Sequence, residues 1–322
     1  MRSRPSPRSA SGANASAPAP LRTSARPRRG RRAARLALSL ALAAAVLAGC
    51  GGEDDDGGDA SSDRFDSAAA FELIDDQVEV GRRPAGSPQL RRLGDRLVER
   101  IPNGRFEPIG GGLRNVVGVL PGPGPAIVVG AHYDTEFRPP GFVGANDGAA
   151  GTAAVVELAR ALERELPDGH REVRFVLFDG EEEPPGCPDA RFEQCALRGS
   201  RAYAAAHAGE VGELILLDYV ANKGLRLPRE GNSDPALWAE LREAADAAGV
   251  AEYFPGGTQT PIIDDHIPFL RAGIPSVDLI DFSYEYADTV EDAPDKLDPA
   301  ALDAVGEAVA GLVVELASPE AQ

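Results

Sequence analysis

Residues 126–183 constrain this chain most. They read AIVVGAHYDT, then GFVGANDGAAGTAAVVELARAL, then EVRFVLFDGEEE. Two apolar runs, 126–131 and 173–178, have the pattern of strands buried in a parallel sheet. Between them an apolar-periodic segment predicts a helix from Gly151 to about Leu166, with Asp147 just before it. Together they make a strand–loop–helix–strand unit. Each strand ends on polar residues: His132 and Asp134 after the first, Asp179, Glu181 and Glu182 after the second. Open α/β sheets place ligands at the carboxyl ends of their strands. The convergence of a histidine and several carboxylates there suggests a metal or acid–base site.

The rest of the chain extends the same alternation. Helices are expected over Ser67–Val80 and residues 88–101, joined by the turn GRRPAGS. A strand is expected over 114–120, ended by PGPGP. After the central unit come a Pro- and acid-rich loop (184–196), a short helix (198–208) and a third apolar strand (213–220) with Asp218 near its end. A helix is expected over 233–249, with Ser233 or Asp234 as cap and Pro235 in the first turn. Residues 254–265 read as a polar loop, 274–280 as a strand, 281–298 as an irregular acidic loop and 299–316 as a closing amphipathic helix. Strands alternating with helices predict an α/β three-layer sandwich around a central, mostly parallel sheet. No internal repeat and no membrane span is evident in this region.

The first 49 residues differ from the remainder of the chain. Residues 1–35 hold ten Arg and no acid; 36–48 are apolar, and Leu47-Ala48-Gly49-Cys50 closes the segment. This is the pattern of a signal peptide with a lipoprotein-type cleavage box. An apolar core of about a dozen residues is short for a membrane span of roughly 20, although an anchor helix or a basic tail is the alternative. The resemblance to bacterial lipoproteins implies acylation of Cys50, hence export and attachment to the membrane only through lipid. Residues 50–65 read as a flexible acidic linker, and residues 66–318 as one catalytic domain. Without residues 1–49, 33 − 10 leaves 23 basic residues against 51 acids, a net charge of −28. That surface argues against nucleic acid or anionic lipid as a partner. Of three cysteines, Cys187 and Cys195 remain in one loop. Export makes a disulfide between them reasonable; two free thiols are the alternative.

Five candidate ligands fall at strand ends or in the adjoining loops: His132, Asp147, Glu182, Asp218 and Asp288. Each has a plain structural reading. Asp147 could be a helix cap, His132 a core histidine and GEEE a solvated charge cluster. Asp218 is harder to explain that way, because a buried carboxylate needs a partner. Their shared position at one edge of the sheet is what raises the joint reading.

AHYDT, GANDGAAGTAAVVELARAL, FVLFDGEEE, LLDYV, DDHIPFLRAGIP and the 281–298 loop occur in an order that resembles the M28 family of zinc exopeptidases, over about residues 114–318. The family holds dizinc aminopeptidases and glutaminyl-peptide cyclotransferases, and DDHIPFLRAGIP looks more like the latter. The resemblance implies that Asp147 is the shared metal ligand and that Glu182 and position 288 complete one zinc. His132 and Asp218 would complete a second zinc, or join the polar network around a single one. Glu181 would be the general acid/base, and Asp264 an active-site carboxylate. It further implies action on peptide or protein N-termini by a monomer, through glutaminyl cyclisation with release of ammonia. The alternatives are a dinuclear zinc aminopeptidase and a non-catalytic peptide-binding lipoprotein. One departure stands out: the family's aromatic-His pair is Ala287-Asp288 here. Of the one or two zinc ions the resemblance implies, the additional carboxylate favours two divalent ions, and it extends the plausible metals from zinc to manganese or calcium.

Overall fold

The computed structural model describes residues 63–319. The expected signal segment, the lipidation site Cys50 and all of the 50–65 linker but its last residues lie outside them. At the linker's end, Arg64 and Phe65 are docked rather than free. Their N–H groups donate to Glu307 Oε1 at 2.6 and 2.7 Å, and the Phe65 ring is buried.

A six-stranded sheet forms the centre, in the order β1-β2-β4-β3-β5-β6. The strands are β1 (Arg105–Gly110), β2 (Leu113–Leu120), β3 (Ala126–His132), β4 (Val173–Phe178), β5 (Val211–Leu217) and β6 (Ser276–Leu279). The four strands β4, β3, β5 and β6 are mutually parallel, while β1 and β2 add an antiparallel flank. The helices are α1 (Ser67–Val80), α2 (Pro88–Leu97), α3 (Gly151–Glu165), the single turn α4 (Phe192–Cys195), α5 (Arg198–His207), α6 (Pro235–Ala247), α7 (Ile267–Arg271) and α8 (Pro299–Ala317).

The unbroken apolar runs are explained by burial on both faces. Along β3, Ile127, Val129 and Ala131 face the core under α1, α2, α3, α6 and α8. Val128 faces the smaller core shared with Tyr203 of α5 and Phe269 of α7. β4 and β5 alternate in the same way, with Phe175 and Ile215 on one side and Val176 and Leu216 on the other. Helix starts agree with their caps: Asp66, Ser87, Asp234 and Asp298 each accept an N–H from the first turn, and Pro opens α2, α6 and α8. After β3 the chain crosses through α3 to β4 on one side, and β5 lies on the other side of β3. The strand order reverses at β3, and in open α/β sheets the carboxyl edge at such a point is where ligands bind. No helix among the described residues is long and apolar enough to cross a membrane.

Candidate metal centre and acid–base site

His132 is the last residue of β3, level with Phe178 at the end of β4. Two residues on, the buried Asp134 accepts the N–H groups of Gly180 and Glu181 with Oδ1 (3.0 and 3.1 Å) and that of Glu182 with Oδ2 (3.4 Å). One carboxylate thereby ties the loop after β4, which carries both glutamates, to the end of β3.

Asp147 does not cap α3. It sits in a π-turn, Ala145–Ala150, with Asp147 at φ −81, ψ 104 and Gly148 at φ 78, and α3 starts without a side-chain cap. The turn is held from behind by Asp292, whose Oδ2 accepts the Asp147 N–H at 3.0 Å, and by the buried Arg83, whose Nη2 donates to Gly144 O at 2.9 Å. Freed from capping, Asp147 Oδ1 lies 3.2 Å from His132 Nε2. Its Oδ2 accepts the Tyr219 hydroxyl at 2.9 Å. Asp218 comes directly after β5, with Oδ1 3.5 Å from the same His132 nitrogen.

One donor atom each of His132, Asp147 and Glu182 lies within 4.8 Å of the others, and all three side chains are buried. Asp218 and Asp264 are buried beside them. Asp288 is exposed, at φ 59, and meets the group through the Tyr219 hydroxyl, 3.3 Å from its Oδ1. Cys187 and Cys195 are joined in a disulfide, with Cα atoms 6.1 Å apart, in the loop after the glutamates.

The charges are uneven. Burial pushes the Glu181 carboxyl well above its ordinary range, and Asp264, Asp265 and Asp134 push it further, against His132. Burial, Asp147 and Glu181 do the same to Glu182. Asp218 is pushed up to about 7, first by burial, with His132 opposing. Burial alone would lower His132, but Asp134, Asp147 and Asp218 outweigh it and raise its proton affinity. Both sides of the His132–Asp218 pair therefore lean toward the protonated form, because one imidazole cannot balance this many buried carboxylates. His132 Nδ1 has no hydrogen-bond partner. An imidazole and converging carboxylates, short of positive charge, fit a divalent cation.

Comparison with known proteins gives the family. The sequence pattern of peptidase family M28 matches residues 115–313, more than half of the chain. The chain belongs to peptidase family M28. It is 30% identical to a glutaminyl-peptide cyclotransferase of Bos taurus over 59% of its own length and 62% of the relative's. For the Gloydius blomhoffii glutaminyl-peptide cyclotransferase the figures are 28%, 59% and 61%. The chain thus spans about three fifths of the curated relatives it matches. A glutaminyl cyclase structure from an Acidobacteriales bacterium superposes with a TM-score of 0.68 at 27% identity, covering 79% of this chain and 95% of that one. A leucine aminopeptidase precursor from Bacteroides thetaiotaomicron gives 0.70 at 25%, covering 78% and 97%.

In this M28 chain the sequence pointed to His132, Asp147, Glu182 and Asp218, and the fold brings them together. The supporting roles of Asp134, Asp292, Arg83 and Tyr219 were missed. Asp134 had a usable signal, its place two residues after His132. Asp292 lies 145 positions from the N–H it holds, which no local pattern reveals. Tyr219, at φ 44, comes after Asp218 and leans its ring toward Tyr284, 5.8 Å between centroids. Ala287 packs against this tyrosine cluster, at the position where the family resemblance expects an aromatic residue.

Proposed function

We propose that this M28 chain is an exported, zinc-dependent enzyme of the glutaminyl-peptide cyclotransferase type, acting on peptide N-termini. The observation that carries this reading is the buried carboxylate group Glu181, Asp218 and Asp264 set beside His132, Asp147 and Glu182. Asp147 and Glu182 are the residues that would hold the ion, with His132 converging on them and Asp288, at the family's third-ligand position, linked to Asp147 through the Tyr219 hydroxyl; the ion when bound would polarise the substrate's side-chain amide. Glu181 moves the proton. It accepts one from the N-terminal amine as that nitrogen bonds to the side-chain amide carbon, and returns it to the amide nitrogen as the C–N bond breaks and ammonia leaves. A raised proton affinity suits both halves of this exchange, and the nearby Asp264 helps to raise it. The Leu47–Cys50 box supports export and acylation at Cys50.

A second reading, a dinuclear aminopeptidase, is favoured by one feature. His132 Nε2 lies close to both Asp147 and Asp218, so a second ion could share Asp147. Glu181 would then move a proton from water to the departing amine of the first peptide bond. Zinc-loaded protein incubated with Gln- and Leu-peptides separates the two by mass: loss of ammonia means cyclisation, and a shortened peptide with a free amino acid means hydrolysis. Glu181→Gln is expected to lower turnover roughly 10²–10⁴-fold with zinc content unchanged. Unchanged turnover overturns the assignment of Glu181.

A further inference from the structure

Behind the candidate catalytic centre lies a second buried group of the same chemical kind. Asp264 belongs to the loop before α7, His266 to the start of α7 and Asp278 to β6. One donor atom from each lies within 4.8 Å of the others. His266 and Asp278 have no solvent exposure, and Asp264 has 4%. Five of their polar atoms have no hydrogen-bond partner: Asp264 Oδ2, His266 Nδ1 and Nε2, and both Asp278 carboxylate oxygens. Among the described residues, no lysine or arginine pairs with Asp264 or Asp278. Buried polar groups this concentrated require an occupant or a partner.

Glu230 supplies the remaining part. Its carboxylate accepts the backbone N–H groups of Asn232 and Ser233 (2.8 Å each) and of Ile262 (2.9 Å), so its position is fixed by the backbone. Glu230 Oε2 lies 3.2 Å from His266 Nε2, and Asp278 Oδ2 lies 3.4 Å from Nδ1. Neither contact has hydrogen-bond alignment, but the Glu230 charge favours the imidazole proton on Nε2. That leaves the Nδ1 lone pair on the side of Asp278. A carboxylate on one imidazole nitrogen and an open lone pair on the other is the arrangement that supports metal-bound histidines. The spacing agrees, since ligands at about 2.0–2.1 Å on a tetrahedral ion lie about 3.3 Å apart.

We propose that Asp264, His266 and Asp278 form a second, structural site for a zinc-like divalent cation, oriented by Glu230. A neutral imidazole and two carboxylates balance a +2 charge, and an imidazole in the donor set suits zinc more than calcium. The ion would clamp the 264–266 loop to β6 and so hold Asp264 near Glu181. This site shares Asp264 with the acid–base group proposed above, but its test reads bound metal alone, so its failure and the failure of that reading are distinguishable.

Two measurements with zinc chloride as the probe test it. Crystals of the wild-type protein grown in excess zinc should show an anomalous peak at the zinc edge between His266 Nδ1 and Asp278. In solution, Asp147→Asn/Glu182→Gln protein, desalted after loading, should keep one zinc per chain, and adding Asp278→Asn should remove it. Absence of the peak at this position, whether or not zinc occupies the His132 group, overturns the proposal. So does zinc retention that Asp278→Asn leaves unchanged. A peak here without one at His132 overturns only the catalytic metal assignment.

Discussion

Asp288 is the residue at which this chain leaves its family's pattern. It is exposed, sits at φ 59 in the left-handed region and reaches the buried group through the Tyr219 hydroxyl. Single-residue reading located His132, Asp147, Glu182 and Asp218 because strand ends announce them. It could not supply Asp134 or Asp292, which act by accepting backbone N–H groups contributed by distant segments. If Asp288 completes the ion site, Asp288→Ala should weaken zinc binding by more than about 10–100-fold, the loss that follows removal of a group that only supports a ligand. Asp288→His should restore binding and move preference toward zinc and away from manganese, because imidazole suits zinc better than hard, oxygen-preferring ions. Competition titrations on the three proteins check this. Equal affinity and equal selectivity throughout would mean that Asp288 is a loop residue with no role toward the metal.

Among elements, those that make a two-sided core were legible and those at the rim were not. α1 has the expected bounds, Ser67–Val80, because a cap and an apolar face agree. β1 was missed: it is a half-exposed edge strand interrupted by Pro108, so it shows neither a buried run nor clean alternation. α7 was missed because five residues opened by His266-Ile267-Pro268 carry too little periodicity. The expected third strand also ran too far. β5 stops at Leu217, which puts Asp218 beyond the ladder and next to His132. The π-turn before α3 was invisible, since the helical pattern begins only at Gly151. This turn depends on Gly148 at φ 78, where an added Cβ would meet Asp134 O at 2.6 Å and His132 Cε1 at 3.1 Å. Gly148→Ala should therefore cost about 1–3 kcal/mol or more in backbone strain alone. At about 2–4 °C per kcal/mol for a chain of this size, thermal unfolding should shift down by several degrees, and zinc retention should fall with it. An unshifted melting temperature would show that the turn relaxes without the glycine.

On the scale of the whole molecule, the three-layer plan was legible in the alternating elements, whereas the concentration of buried acid at one sheet edge emerged only on folding. That concentration sets the pH response of the metal-free protein. Burial first, and then neighbouring carboxylates, raise Asp179 and Asp218 to about 7 and Asp292 to about 6. Glu181 and Glu182 are also raised well above their ordinary range. In the unfolded chain such groups titrate near about 4. The folded protein therefore binds more protons than the unfolded chain from about pH 4 to pH 7. The stability contributed by these protonated carboxyls is complete below about pH 4 and is lost as pH rises through the folded-state values. Each tenfold difference in proton affinity is worth about 1.4 kcal/mol, or about 3–6 °C here. The melting temperature of chelator-treated protein should accordingly fall by at least about 5 °C between pH 5 and pH 8. Zinc displaces protons from the same ligands, so the stabilisation it confers should grow over that interval. Calorimetry at matched ionic strength, with and without zinc, measures both. A metal-free melting temperature that stays level or rises from pH 5 to pH 8 would show that the buried carboxylates are already balanced by something other than protons.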